Sequence, residues 1–296
     1  MSRYTGLSAF PITPCDPDGR VDAEALRGLL TPLVEAGVDS IGLLGSTGTY
    51  AYLAPDERRR AVEIAAALVG GRVPLLVGVG ALRTDAAVAL AREARAAGAE
   101  AGLLAPVSYT PLTEDEVVAH FAAVADGSGL PLVVYDNPGT THFRFTPALL
   151  GRLARLPGIV AAKCPAPEPS GAAETVAALR AAVPDGFPVG FSGDWNVTAA
   201  LLVGGDGWYS VAAGLFPRTC RAITRAAQAG DADRARALDG ALAPLWDLFR
   251  AHSSLRVMYA LAAARGIAAT PPRPILPLPE AVQAQIVATV RRLDLA

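Results

Sequence analysis

A lysine ends one short apolar segment of this 296-residue chain. Lys163 follows residues 158–162, which are a glycine, an isoleucine, a valine and two alanines. At the end of a buried strand the amine would lose part of its hydration, which favours the neutral nucleophile that attacks a carbonyl carbon to form a Schiff base. The alternatives are a lysine whose apolar stem carries the charge to the surface, or one that binds a phosphate group.

Two other segments end in groups that could assist such an amine. Tyr135 ends the apolar run 132–135, where its phenol could shuttle protons, although a tyrosine in this position can also be a packing residue. Residues 45–48 read Gly-Ser-Thr-Gly, and their backbone N–H groups with the Ser46 and Thr47 hydroxyls could bind a carboxylate. The alternative is a plain tight turn. Because the turn lacks a P-loop lysine, a triphosphate ligand is disfavoured.

These segments belong to a regular alternation of short apolar runs with longer, alanine-rich helical stretches. In such an alternation the strands run parallel, and eight of them close a barrel. The first strand lacks the glycine-rich turn of a dinucleotide-binding sheet. We therefore predict an α/β fold, a (β/α)8 TIM barrel, with its chemistry at the carboxyl ends of the strands. The predicted strands are 7–13, 40–44, 74–78, 101–104, 132–135, 159–163, 189–192 and 207–211.

The last 80 or so residues carry only helical patterns. We therefore predict two parts, a barrel over residues 1–216 and a C-terminal all-helical extension over residues 217–296. Asp22 and Thr113 are predicted N-caps of barrel helices. Helices in the extension are predicted at 218–228, 232–249, 254–264 and 280–293.

Charge and cysteine content exclude several classes of function. With 26 basic and 28 acidic residues, the chain has no basic excess for nucleic acid or an anionic membrane. Its three cysteines are scattered, which predicts a cytoplasmic protein, and Cys164 is predicted to be buried and structural. The three histidines are dispersed, so we predict no metal site and no cofactor.

Taken together, these features resemble the dihydrodipicolinate synthase and N-acetylneuraminate lyase family of class I, pyruvate-dependent aldolases. The resemblance spans nearly the whole chain. It is carried by residues 9–14, the turn 45–48, Tyr135 with Pro138, Lys163, residues 192–194 and residues 204–207.

The resemblance implies a role for each matching residue. Lys163 would form the Schiff base, and Tyr135 would relay protons through Ser46 to a second tyrosine, Tyr109. In this family the second tyrosine reaches into the site of a neighbouring subunit, which implies a homodimer or homotetramer. No cofactor is implied.

The substrates implied are a 2-oxo acid such as pyruvate and an aldehyde. Ser46, Thr47 and Gly48 would surround the carboxylate of the 2-oxo acid, and the main-chain carbonyl of Tyr209 would approach the lysine. Thr140 and His142 are predicted to contact the second substrate.

Two positions depart from the synthase pattern of this family. Thr49 stands where synthases have a glutamate, and Thr140 stands where they have an arginine that holds the carboxylate of the second substrate. A threonine hydroxyl cannot replace a bidentate guanidinium. We therefore expect an acceptor other than aspartate semialdehyde, either without a carboxylate at that place or with one held by groups such as His142 or Arg144.

The sequence thus predicts a Schiff-base lyase that joins a 2-oxo acid to an aldehyde or catalyses the reverse cleavage. One alternative is a dehydratase that eliminates water from a 2-keto-3-deoxy sugar acid through the same imine. Another is a catalytically silent member of the family that only binds a 2-oxo acid.

Overall fold

Eight short parallel strands form a closed barrel in the computed structural model, which describes residues 4–293 and residue 295. Each strand pairs with the next one along the chain, and β8 pairs with β1. The predicted TIM barrel is confirmed. Its strands are β1 (Gly6–Ala9), β2 (Ser40–Leu43), β3 (Leu75–Gly78), β4 (Ala101–Leu104), β5 (Leu132–Tyr135), β6 (Ile159–Pro165), β7 (Val189–Ser192) and β8 (Gly207–Ser210).

Helices follow the strands, and their ends show the local signals expected from the sequence. The Asp22 side chain accepts a hydrogen bond from the N–H of Ala25, and Thr113 forms a reciprocal capping box with Glu116, as predicted. The helices of the barrel region are α1 (Ala23–Ala36), α2 (Pro55–Val69), α3 (Thr84–Ala96), α4 (Glu114–Ser128), α5 (Pro138–Thr141), α6 (Pro147–Leu153), α7 (Ala172–Ala182) and α8 (Val197–Leu202).

The helices after β8 are α9 (Pro217–Gln228), α10 (Ala232–Ala241), α11 (Ala243–His252), α12 (Ser254–Ala264) and α13 (Glu280–Arg291). Helix α9 packs on β1 and β8, so it completes the eighth β/α unit. The division of the chain at residue 216 stays a prediction. The single helix predicted over 232–249 is two helices that meet at Leu242, because Pro244 in the first turn of α11 has no N–H to continue the ladder.

Two layers of side chains make up the core, one inside the barrel and one between strands and helices. Because side chains alternate along a strand, Ala161 and Lys163 face the interior of the barrel whereas Cys164 faces the surrounding helices. Burial raises the pKa of the Cys164 thiol far above its usual range. The prediction that Cys164 is buried is confirmed, and its structural role stays a prediction. Within the described ranges, no helix combines the length and apolarity needed to cross a bilayer.

Candidate active site

A cavity of about 670 Å³ opens at the carboxyl ends of the strands, where the chemistry of such barrels is expected. Lys163 lies in its wall with only 5% of its surface exposed. The amine nitrogen lies 4.1 Å from the centre of the Phe10 ring and 3.9 Å from the centre of the Tyr135 ring. Among the described residues no carboxylate comes within ion-pair distance of this amine.

Lys163 is also the only lysine in the sequence, because the other 25 of the 26 basic residues are arginines. An arginine does not lose its proton in proteins and does not form imines, so it cannot take the place of a lysine nucleophile. This feature was readable from the sequence and singles out residue 163 more sharply than its position on a strand does.

Tyr135 and Lys163 are direct neighbours in the ladder between β5 and β6. The Tyr135 hydroxyl donates a hydrogen bond of 3.0 Å to Oγ of Ser46. The side-chain amide of Asn137 donates to both of these oxygens, at 2.9 Å to Tyr135 and 3.0 Å to Ser46. These three side chains form a closed triangle beside the amine, in the wall of the same cavity.

Sequence analysis overlooked Asn137, although a signal for it was present. The residue follows Tyr135 by two positions, and side chains two positions apart on an extended chain share a face. Within residues 136–141, only Pro138, as a family marker, and Thr140, as a substrate contact, were singled out from the sequence. The N–H groups of Thr140 and Thr141 both bond the Asn137 carbonyl, so its backbone is fixed at the start of α5.

The Gly-Ser-Thr-Gly turn contributes Ser46 and Thr47 to the cavity, whereas Gly48 does not line it. A Cβ on Gly48 would lie 2.9 Å from the backbone N of Leu44, which is too close for any side chain. Its carbonyl accepts a hydrogen bond of 2.8 Å from the Thr13 hydroxyl. The structure therefore gives Gly48 the role of shaping the turn.

Helix α12 stabilises this turn from behind. The Tyr259 hydroxyl donates a hydrogen bond of 3.1 Å to the carbonyl of Thr13, whose side chain holds the turn. The turn 45–48 therefore depends on a helix more than 200 residues further along the chain.

The remaining predicted residues are not all brought to the cavity. Thr140 lines it, but His142 and Arg144 lie on the exposed surface outside the lining. His142 ends α5 with a φ of 56°, and the chain turns there. The Tyr209 side chain points into the barrel, with its ring edge-on to Phe10 at 5.8 Å. Tyr109 is 96% exposed and lies outside the lining.

Comparison with known proteins identifies the family of this chain. Residues 3–293 match the model of the dihydrodipicolinate synthetase family. A 4-hydroxy-tetrahydrodipicolinate synthase of Methylococcus capsulatus is 38% identical over 252 residues, which cover 84% of each chain. The chain belongs to the dihydrodipicolinate synthetase family. The family resemblance found in the sequence is confirmed, and the protein is a class I aldolase of this family, a lyase.

Solved structures of family members show the same fold. The crystal structure of a dihydrodipicolinate synthase from Agrobacterium tumefaciens str. C58 is 53% identical, with a TM-score of 0.96 over 99% of both chains. A chloride-inhibited dihydrodipicolinate synthase from Acinetobacter baumannii, solved in complex with pyruvate, is 28% identical. Its TM-score is 0.89 over 99% of both chains.

Asp194, in one of the family markers, serves the architecture of the site. Its carboxylate accepts hydrogen bonds from the indole N–H of Trp208 at 2.7 Å and from the backbone N–H groups of Ala212 at 2.9 Å and Val211 at 3.3 Å. These bonds tie the end of β7 to the segment after β8. Burial nevertheless raises the pKa of Asp194 to about 6.

One wall of the cavity was not predicted from the sequence patterns. Ser254, Leu255 and Arg256, in the first turn of α12, line it opposite the strand ends. Residue 253, which links α11 to α12, has a φ of 68°, a conformation that residues other than glycine rarely adopt. Among the described residues, no three His, Cys, Asp or Glu side chains are grouped so that they could hold a metal ion.

Asp136 makes stability depend on pH at this end of β5. It is buried on the outer side of the strand, and its Oδ1 has no hydrogen-bond partner among the described residues. Burial, partly offset by the Phe145 N–H, raises its pKa to about 6 from an ordinary value of 3.8. Between these two values the folded chain retains a proton that the unfolded chain has lost, so the free energy of unfolding falls as pH rises.

We predict that Asp136→Asn removes this loss of stability. The pKa difference corresponds to about 3 kcal/mol at most, so the variant should gain up to about 3 kcal/mol relative to the native chain between about pH 4 and about pH 7. Denaturant unfolding at both pH values measures this gain. Asp126→Asn, at an exposed position, is the matched control. The prediction is contradicted if the free energies of unfolding of Asp136→Asn and the native chain differ by the same amount at both pH values.

Proposed function

We propose that the protein forms a Schiff base between Lys163 and pyruvate or a related 2-oxo acid, and joins the resulting enamine to an aldehyde. The observation that carries this proposal is the only lysine of the chain, buried between two rings beside the hydroxyl triangle of Ser46, Tyr135 and Asn137. A family relative solved with pyruvate supports the choice of 2-oxo acid.

The chemical steps assign one task to each group. The neutral amine of Lys163 attacks C2, and the carbinolamine hydroxyl leaves as water after it receives a proton through Tyr135. Loss of a C3 proton converts the iminium into an enamine. Its C3 then attacks the aldehyde carbon, and the new alkoxide takes a proton. Hydrolysis of the final iminium releases the product and restores the amine.

The donors and acceptors among Ser46, Tyr135 and Asn137 determine the direction of proton transfer. The Tyr135 oxygen accepts from Asn137, so its own proton points to Ser46. The Ser46 oxygen accepts from both neighbours, and its hydroxyl proton is therefore left for a third acceptor. We infer a relay in which Asn137 orients the chain of hydroxyls and Ser46 passes protons onward. Ser46 and Thr47 bind the carboxylate of the 2-oxo acid.

Reductive trapping tests the Schiff base. Incubation with pyruvate and borohydride should add one reduced pyruvate per chain, and peptide mass mapping should locate it on Lys163. Lys163→Arg keeps the charge but cannot form an imine, so it should add nothing. Because no other lysine exists, the mapping only has to separate residue 163 from the N-terminal amine. Absence of an adduct on Lys163 in the native chain would overturn the proposal.

We further propose that the acceptor differs from aspartate semialdehyde, the acceptor that the resemblance assigns to the synthases. Thr140 lines the cavity, but its hydroxyl donates to the Asn137 carbonyl at 3.3 Å and cannot form a two-pronged bond with a carboxylate. The buried hydroxyl of Thr49 has no hydrogen-bond partner among the described residues. Relatives of 34% to 38% identity are named 4-hydroxy-tetrahydrodipicolinate synthases, and the proposal departs from that name because of residues 49 and 140.

Pyruvate consumption in the presence of aspartate semialdehyde tests this specificity. The native chain should consume pyruvate no faster with this aldehyde than without it. Thr140→Arg restores a guanidinium at the cavity and should raise the rate. The proposal fails if the native chain consumes both compounds together at a catalytic rate.

A second copy of the chain is proposed to complete the site. Tyr109 is an almost fully exposed aromatic side chain, and Leu82, in the loop after the preceding strand, is also largely exposed. Aromatic groups of this kind are typical of protein interfaces. We propose a homodimer, or a pair of such dimers, in which Tyr109 of one copy accepts the free proton of Ser46 in the other. Three buried, unpaired cysteines fit assembly in a reducing cytoplasm.

Mixed dimers test this arrangement. Tyr109→Phe should slow deuterium exchange at C3 of pyruvate by about 100-fold or more, which is the typical loss for a proton-transfer group. Lys163→Ala should abolish the exchange. Coexpression of the two variants should restore about a quarter of the native rate, because half of the random dimers are mixed and each then has one complete site. A shared site is contradicted if the exchange rate after coexpression is only the average of the rates of the two separate variants.

A further inference from the structure

Helix α12 adds a positive charge to the cavity that the Schiff-base chemistry does not use. Arg256 lies in its first turn and is half-buried in the cavity wall. Within residues 4–293 and 295, its guanidinium has no hydrogen bond and no ion pair. By contrast, the buried Arg58 donates to the carbonyls of Gly78 and Gly80, and Arg265 donates to the carbonyl of Leu215.

The two acidic groups of the cavity lining bond to other partners and form no ion pair with Arg256. Asp194 is buried and saturated by three donors. Glu168 accepts a hydrogen bond of 3.0 Å from Asn196 and forms no ion pair with Arg256. Once pyruvate is bound, its carboxylate faces the iminium on Lys163, and these two charges balance each other. The Arg256 guanidinium then still has no hydrogen-bond or ion-pair partner among the described residues in this space of about 670 Å³.

We propose that Arg256 binds a carboxylate on the aldehyde acceptor, so that the second substrate is an aldehyde acid. This inference rests on the proposed Schiff-base function and specifies the substrate class of the same site. A planar guanidinium fork matches a carboxylate with two parallel hydrogen bonds. A single guanidinium balances one negative charge, which favours a carboxylate over a phosphate dianion.

The nature of the remaining wall narrows the acceptor further. Ser254 and Leu255 lie beside Arg256 in the lining. An ammonium group next to the acceptor carboxylate would lie near the guanidinium and would be repelled. A simple aldehyde acid bound to Arg256 avoids this repulsion.

Binding to a trapped adduct tests the assignment without any need for turnover. Pyruvate is first fixed on Lys163 with borohydride, and the fraction of adduct is measured for every variant. The adduct is then titrated calorimetrically with two aldehydes of equal carbon number, succinic semialdehyde and butanal. Because the adduct has no free lysine, these aldehydes cannot form imines with lysine side chains.

The native adduct should bind succinic semialdehyde about tenfold or more tightly than butanal, the ratio expected for hydrogen bonds to a charged group. Arg256→Leu should abolish this preference and Arg256→Lys should retain part of it. Arg234→Leu, at an exposed position of α10 outside the cavity, is the matched control and should retain the preference in full. Thermal unfolding establishes that each variant is folded.

Three outcomes would overturn the proposal. These are equal binding of the two aldehydes by the native adduct, an unchanged preference in Arg256→Leu, and tighter binding of glyceraldehyde 3-phosphate than of succinic semialdehyde. Failure of pyruvate to form the adduct would instead count against the Schiff-base function. In that case the same titrations are made with the unmodified protein, where the preference and its dependence on Arg256 support or overturn the proposal by the same criteria.

Discussion

The burial of one amine against two aromatic faces is the constraint on which this site depends. The Lys163 nitrogen exchanges water for the faces of Phe10 and Tyr135, which attract a cation but donate no hydrogen bond and supply no counter-charge. Phe10 can occupy this place only because β2 and the turn after it have glycines facing it. A Cβ on Gly42 would lie 2.2 Å from the ring, and one on Gly45 would lie 2.8 Å from it. The glycines therefore provide the space for the aromatic wall of the nucleophile.

The second requirement is a rigid set of hydroxyls beside that amine, and it depends on parts of the chain far apart in sequence. Barrel register places Tyr135 next to Lys163. The turn that carries Ser46 is held through Thr13 by Tyr259 of α12. Helix α12 thus both supports the turn that carries Ser46 and forms the opposite wall of the cavity. It belongs to the site although it lies outside the eight β/α units.

The parts of this arrangement that repeat regularly were predictable from sequence. Lys163 and Tyr135 each end a strand, parallel strands end at the same rim, and the two residues lie one unit apart, so their proximity follows from periodicity alone. Side-chain alternation likewise accounts for the opposite directions of Lys163 and Cys164. Both placements rest on backbone geometry that is the same in every barrel.

The parts that depend on loop direction and distant packing were not predictable. His142 was expected at the substrate, but the positive φ at the end of α5 turns it to the surface. Asn137 contacts Ser46, 91 residues earlier in the chain, and this contact exists only in the folded barrel. Arg256 lies in a helix that was read as an appendage, and contacts such as the Tyr259 bond to Thr13 hold that helix at the cavity. Such placements are set by tertiary contacts that a pattern of residue types does not encode.

The use of arginine for every basic position except one has a chemical consequence in a cavity that is proposed to bind an aldehyde. A second lysine near the acceptor would form imines with it and would compete with Lys163 for carbonyl groups. A guanidinium stays protonated and does not attack carbonyl carbons, yet it binds anions through a planar fork. Arg256 can therefore stand in the same cavity as Lys163 and attract an anionic substrate without reacting with it. Lys163 can therefore react with the carbonyl carbon, while Arg256 can only bind the anion.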